Sequence, residues 1–170
     1  MTVNNLYYAI IQVNSGWIGV LGSEQGLLRL TFPQPSQSSA ELLLGPQIKQ
    51  AQLSPLFFKG LIEELQAYFQ GVPVDFTDTI DLSQSTPFEK SVWTACRSIP
   101  YGETRSYHWI AGQIDKPLAA RAVGQALGRN PVPIIIPCHR VLAGTGQLGG
   151  FGGGLDMKQY LLKLESITLR

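Results

Sequence analysis

Residues 72–85 divide this chain. The stretch carries Pro73 and three aspartates, Asp75, Asp78 and Asp81, with few large apolar groups, and it reads as a linker. The two sides obey different periodicities, so no single repeating element can account for both. Upstream, Leu6 to Val13 is rich in Tyr, Ile and Val. Asn14-Ser15-Gly16 is a turn signal, Trp17 to Leu21 a second strand, and Glu24-Gln25-Gly26 turns the chain into Leu27 to Phe32. Short strands joined by glycine-bearing turns predict a meander. Pro33 to Ser39 is Pro, Gln and Ser, a surface loop. Ser54-Pro55 then predicts a helix start, with Ser as cap and Pro in the first position. Phe57, Phe58, Leu61, Ile62, Leu65, Tyr68 and Phe69 fall on one face of that helix, and Gly71 and Pro73 end it.

Downstream the pattern is helical. Thr86 to Glu89 forms a capping box, with Val92, Trp93 and Cys96 on the buried face that follows. Ile99-Pro100-Tyr101-Gly102 stops this helix. A short helix runs from Ser106 through Ala111, and another from Pro117 to Gly128. Two short helices joined by a few residues, the second carrying Arg121 and Arg129, read as a helix-turn-helix. Trp109 reads as core. Val132 to Ile136 is a stiff, buried, Pro-bounded run, residues 144–154 hold seven glycines, and Asp156 caps a last helix containing Met157, Tyr160, Leu161 and Leu164. The expected fold class is α/β: a small N-terminal α/β domain of antiparallel strands plus a helix, residues 1–80, then a mostly helical domain with a helix-turn-helix, residues 81–170.

Composition excludes several classes. A chain with 44% hydrophobic and 15% charged residues is not a disordered tail. No apolar run approaches the ~18 residues that span a bilayer, and Met1 to Asn5 shows no secretory signal pattern. Cys96 and Cys138, with His108 and His139, make neither a disulfide framework nor a metal-ligand spacing. A cytoplasmic protein with no metal and no cofactor is the expectation. Residues 1–85 carry three Lys/Arg against seven Asp/Glu, and residues 86–170 carry ten against five. A basic half fits polyanion binding, and it equally fits solvated charges that happen to divide this way.

One segment concentrates reactive groups. Ile134-Ile135-Ile136 is an apolar stem that delivers Pro137-Cys138-His139-Arg140 to its end. Pro removes a donor and fixes the approach. Cys138 is a nucleophile candidate, His139 the adjacent base, and Arg140 a fixed charge expected to favour thiolate. Cys96, at a core position of a helix, reads as packing.

This segment resembles the active-site motif of the O6-alkylguanine-DNA alkyltransferases, the methylated-DNA–protein-cysteine methyltransferases. The resemblance extends from Phe88 and Trp93 through Ile99-Pro100-Tyr101-Gly102-Glu103, Ala120-Arg121-Ala122-Val123-Gly124 and Gly128-Arg129-Asn130-Pro131 to Gly149-Gly150-Phe151 and Gly153-Gly154-Leu155. It covers residues 86–165. The first 85 residues resemble the family's smaller, ribonuclease-H-like domain only in size and element order.

The resemblance implies a DNA repair protein that moves the alkyl group of O6-alkylguanine, and of O4-alkylthymine, irreversibly to Cys138. It implies that His139, through a water, takes the thiol proton and that Glu165 orients His139, while Asn130 ties the DNA-reading helices to the Cys segment. It implies that Arg121 fills the stack vacated by a flipped base in the minor groove. Ala120 and Gly124 would let that helix approach closely, and Tyr107 would crowd the target phosphate. The carbonyls of Cys138 and Val141 would accept from the guanine amine, the N–H near Gly152 would donate to O6, and Phe151 would wall the pocket. The implied partner is double-stranded DNA bound by a monomer, with no membrane and no cofactor.

The sequence also departs from the family pattern. Gly152 stands where many members carry Ser, His108-Trp109 is not the usual pair, and the N-terminal zinc ligands of some members are absent. Two other readings compete. Relatives that only flag alkylated DNA lack the cysteine that Cys138 supplies here. A Cys-His-Glu hydrolase would regain its thiol after each turnover.

Overall fold

The computed structural model describes residues 4–167; the outermost residues of both expected domains, 1–3 and 168–170, lie outside it. The chain separates into two compact units, Met1–Ser83 and Gln84–Arg170. In the first, β1 (Leu6–Val13), β2 (Gly16–Ser23) and β3 (Gly26–Leu30) form the antiparallel meander. A short β4 (Ala51–Leu53) pairs parallel with β1, giving the order β3-β2-β1-β4. Alternation along β1 buries Ala9, Ile11 and Val13. β2 is buried at every residue from Ile18 to Ser23, so both its faces are covered. Glycine permits that approach: a Cβ on Gly19 would stand 2.8 Å from the Ala40 carbonyl oxygen and 2.9 Å from the Leu44 side chain.

Three expectations change in this unit. The polar stretch at Pro33–Ser39 is not all loop. The helix α1 (Gln37–Leu43) begins inside it, where the Ser36 hydroxyl accepts from the Ser39 N–H. Ser54 makes no side-chain cap; a 3₁₀ turn, Pro55–Phe58, precedes α2 (Lys59–Phe69), which buries Leu61, Leu65, Tyr68 and Phe69. The expected linker is docked at its centre, from Phe76 to Asp81. The Leu27 N–H donates to the Thr79 carbonyl and the Asp81 N–H to the Leu27 carbonyl, both at 2.9 Å, which sets Ile80 beside β3. Phe76 is buried, its ring 5.8 Å from that of Tyr68.

The second unit opens with α3 (Pro87–Arg97) at the capping box: Thr86 accepts from the Glu89 N–H, and the Glu89 carboxylate accepts from the Thr86 N–H. Val92, Trp93 and Cys96 are buried, and the Trp93 indole donates to the Ala126 carbonyl at 2.9 Å. That bond ties α3 to the helix pair formed by α4 (Tyr107–Gln113) and α5 (Ala120–Gly128). α5 starts at Ala120 rather than at Pro117, because Lys116 to Ala119 closes a separate turn through a 2.9 Å backbone bond. Trp109, expected in the core, is half-buried under the Arg105 guanidinium, 5.4 Å from its ring centre. Two-residue strands, β5 (Arg105–Ser106) and β6 (Val141–Leu142), pair in parallel. The last helix, α6 (Leu155–Leu164), is capped by Gly154 at φ 88°; Asp156 sits inside its first turn instead. Among the described residues no helix is long and apolar enough to cross a membrane.

Candidate active site

Every residue from Val132 to Arg140 is buried. Ile134 adopts φ 77°, a strained conformation for a β-branched side chain. Its neighbours hold it there. The Ile136 N–H donates to the Val132 carbonyl at 2.9 Å. Asn130 brackets the segment: its Oδ1 accepts from the Val132 N–H at 2.9 Å and its Nδ2 donates to the Ile136 carbonyl at 2.8 Å. The chain then enters a 3₁₀ turn, Cys138–Arg140, that leads into β6.

In a 3₁₀ turn successive side chains diverge by about a third of a revolution. Cys138 accordingly faces a cavity while His139 and Arg140 reach Glu165 at the end of α6. His139 Nε2 lies 2.7 Å from Glu165 Oε1. Arg140 Nε donates to Oε2 at 2.9 Å, its Nη2 to Oε1 at 3.0 Å and its Nη1 to the Ile99 carbonyl at 2.7 Å. The Gly102 N–H adds a bond to Oε2 at 3.2 Å. His139, Arg140 and Glu165 are all buried. Burial alone would raise the Glu165 pKa, but the bonds from His139 and Arg140 outweigh it and hold the carboxyl at about 2. Burial lowers the His139 pKa, with Glu165 opposing in part, so the ring is neutral at pH 7. An ionised carboxylate can only accept. Nε2 therefore carries the ring proton, and Nδ1 is the basic nitrogen.

Cys138 departs from expectation. Burial pushes its thiol from 9.0 up to about 11, and the Asn130 amide, Lys158 and the N–H groups of Cys138 and His139 pull the other way without prevailing. Arg140 does not activate the thiol, because its charge is matched by Glu165. The cation that faces Cys138 is Lys158 of α6, which the sequence reading passed over. Lys158 is fully buried and donates to the carbonyls of Val141, at 2.7 Å, and Leu148. A signal was present: residues 158, 161, 162 and 165 share one face of a helix, so a lysine stands in the buried stripe. Cys96 is buried, which pushes its thiol well up, as a packing residue requires.

Cys138 opens on a cavity of about 430 Å³, within the range of small-molecule sites. Ala120, Arg121 and Gly124 of α5 line it with Tyr107 of α4 and Phe151 and Gly152 of the glycine-rich loop. Arg121 is exposed. A Cβ on Gly124 would lie 3.6 Å from the Tyr107 ring, an ordinary contact, so the α4–α5 spacing does not require glycine there. Asn130 stands behind the Cys segment, and Val141 is buried in β6, outside the cavity wall, with its carbonyl accepting from Lys158.

Residues 87–167 match the 6-O-methylguanine DNA methyltransferase DNA binding domain, and residues 6–82 match the ribonuclease-like domain of the same name. The chain belongs to the 6-O-methylguanine DNA methyltransferase family. It is 44% identical over 165 residues to the methylated-DNA–protein-cysteine methyltransferase of Methanosarcina barkeri, spanning 97% of this chain and 100% of that one. The Mycolicibacterium paratuberculosis protein of the same name is 54% identical over 112 residues, 66% of this chain and 67% of that one. The crystal structure of Mycobacterium tuberculosis O6-methylguanine methyltransferase aligns with a TM-score of 0.79 and 41% identity, covering 94% of this chain and 92% of that one. Mycobacterium tuberculosis OGT in complex with DNA aligns at 0.80 and 41%, with the same coverage. The family's two-domain architecture is the one expected from the sequence, a small sheet domain with a helix followed by a helical domain.

Proposed function

We propose that this chain repairs DNA by taking the alkyl group of O6-alkylguanine onto its own Cys138. One observation carries the reading: a cysteine on the wall of a base-sized cavity, adjacent in the chain to a buried His139–Glu165 pair. The sulfur attacks the alkyl carbon, a C–S bond forms and the C–O6 bond breaks. The released electron pair stays with the guanine, and the thiol proton passes through a bridging water to His139. The thioether has no route back to thiol, so each molecule acts once. Incubation with DNA containing O6-methylguanine should add about 14 Da, one methyl group, to each protein molecule, on the Cys138 peptide and not on Cys96. Repeated turnover with recovery of the free thiol would instead mark a hydrolase. Binding without any mass gain would mark a protein that only flags lesions.

A base stacked inside a duplex cannot reach the cavity, so the reading requires it to be turned out of the helix. Arg121, exposed on the cavity rim at the start of α5, is suited to fill the gap, and Ala120 and Gly124 keep that helix surface flat enough for a minor groove. Arg121→Ala should slow repair of duplex DNA by about tenfold or more while reaction with free O6-methylguanine base stays near native, since the free base needs no extrusion. Equal losses on both substrates would place Arg121 in pocket chemistry instead.

A further inference from the structure

The loop that completes the cavity is closed from within only at its ends: the Ala143 N–H donates to the Gln147 carbonyl and the Gly146 N–H to the Ala143 carbonyl, both at 2.9 Å, and the Gly154 N–H to the Phe151 carbonyl at 3.1 Å. Seven of the residues from 144 to 154 are glycine, and glycine gives the backbone its widest freedom. Yet Gly150, Phe151 and Gly152 of this loop form part of the cavity wall. The stretch between those turns, Leu148 to Gly150, is fastened from outside the loop.

We propose that Lys158 is a positioning residue that latches the glycine-rich loop, residues 143–154, against the cysteine segment and so sets the shape of the alkyl-base pocket. Its ammonium donates to the Leu148 carbonyl inside the loop and, at 2.7 Å, to the Val141 carbonyl that directly follows the Cys138–Arg140 turn. One cation thus joins the two backbone segments that flank the cavity. The same nitrogen lies 5.5 Å from the centre of the Phe151 ring and 5.9 Å from that of Tyr107, so two cavity residues rest against it as aromatic faces rest against a cation. Tyr107 supplies a second fastening: its hydroxyl donates to the Gly150 carbonyl at 3.2 Å. The path between the fastenings demands glycine. Gly149 has φ 68°, and a Cβ there would stand 2.8 Å from the Tyr107 oxygen.

A buried ammonium is expensive unless it is well satisfied. Among the described residues no carboxylate pairs with Lys158. Carbonyl oxygens and ring faces compensate its charge instead, and a methionine would fill the same stem volume without that cost. Position 158 also lies about two turns from Glu165 on the same face of α6. The helix therefore serves both the proton network and the loop.

The assignment rests on the alkyl-transfer reading for what the pocket receives, but the latch can be tested apart from it. Hydrogen exchange is measured on the full chain, on Lys158→Met, which keeps the stem, and on Lys158→Arg, which keeps donors for both carbonyls. In Lys158→Met, amides of residues 143–154 should exchange about tenfold faster or more, with α3 unchanged. Reaction with free O6-methylguanine base and with methylated duplex should fall together, by about tenfold or more, because the pocket and not DNA binding is disturbed. Lys158→Arg should recover part of both losses. A folded Lys158→Met protein with native exchange in this loop, or an arginine variant no better than the methionine one, overturns the proposal. Where neither variant folds, the native protein decides: the Lys158 ammonium should be protected from exchange with water, and an unprotected one overturns the latch. A native chain that keeps a protected loop but gains no mass from methylated DNA overturns the alkyl-transfer reading and leaves the latch standing.

Discussion

Glu165→Gln is expected to slow alkyl transfer at neutral pH by about 100-fold or more, the scale of a lost general base, and to remove roughly 3 kcal/mol of stability. Both effects come from the same carboxylate. Glu165 is 2% exposed and neutralises Arg140, itself 6% exposed. Without the charge, a buried guanidinium keeps only neutral partners, the Ile99 carbonyl and the Tyr101 ring. The catalytic loss follows from hydrogen-bond direction. The native carboxylate accepts from His139 Nε2, which leaves Nδ1 basic. A glutamine amide can donate to Nε2, move the ring proton to Nδ1, and abolish the acceptor. Denaturation by urea and single-turnover rates on the same preparation check the two parts. The folded-state pKa of about 2 lies below the ordinary 4.5, so the group's stabilisation is full above about 4.5 and is lost as pH falls through about 2. The acid unfolding of Glu165→Gln should lack that component. A folded variant with native rate and native acid stability would reduce Glu165 to an ordinary helix residue.

How much of this was legible in the sequence depends on the range of the interaction concerned. The capping box at Thr86 and Glu89 is set by residues three apart, and it stands as read. β4 escaped notice because its three residues carry no pattern of their own and exist only by pairing with β1, over forty positions earlier. α1 was hidden because serines that cap a helix also make a loop. In the site, adjacency of Cys138, His139 and Arg140 was plain, but their directions were not. The 3₁₀ turn sends the arginine to Glu165 and away from the thiol, and no local pattern encodes that divergence. Lys158 was the reverse case: its place in the buried stripe of α6 was visible, but a lysine there reads as solvated until its carbonyl partners are known. The tendency of Ile134 to occupy φ 77° could not be read at all, since nothing about isoleucine favours it.

His139→Gln is expected to lower the rate at pH 7 by about 10²- to 10⁴-fold and to change the shape of the pH profile. Burial holds the Cys138 thiol at about 11, so titration alone leaves about 10⁻⁴ of it ionised at pH 7. His139 is pushed below its ordinary value and is neutral there. Moving the proton from sulfur to Nδ1 makes a thiolate and an imidazolium with no change in net charge, and Glu165 stands ready against the imidazolium. The population of that pair does not vary with pH between the two pKa values. The native rate should therefore be level between about pH 7 and 8, and should fall about tenfold per unit once pH drops below the His139 pKa. Of the other groups that face the thiol, Lys158 has lost half its proton at about 8, so the upper edge of the window bends in native and His139→Gln protein alike, while burial pushes Tyr107 and Cys96 upward, so both stay neutral. In His139→Gln only the rare titrated thiolate can react, so its rate should climb about tenfold per pH unit over the same interval. A native profile that climbs with the same slope would mean that the thiolate forms by simple ionisation, and that the buried His139–Glu165 pair braces the turn without taking the proton.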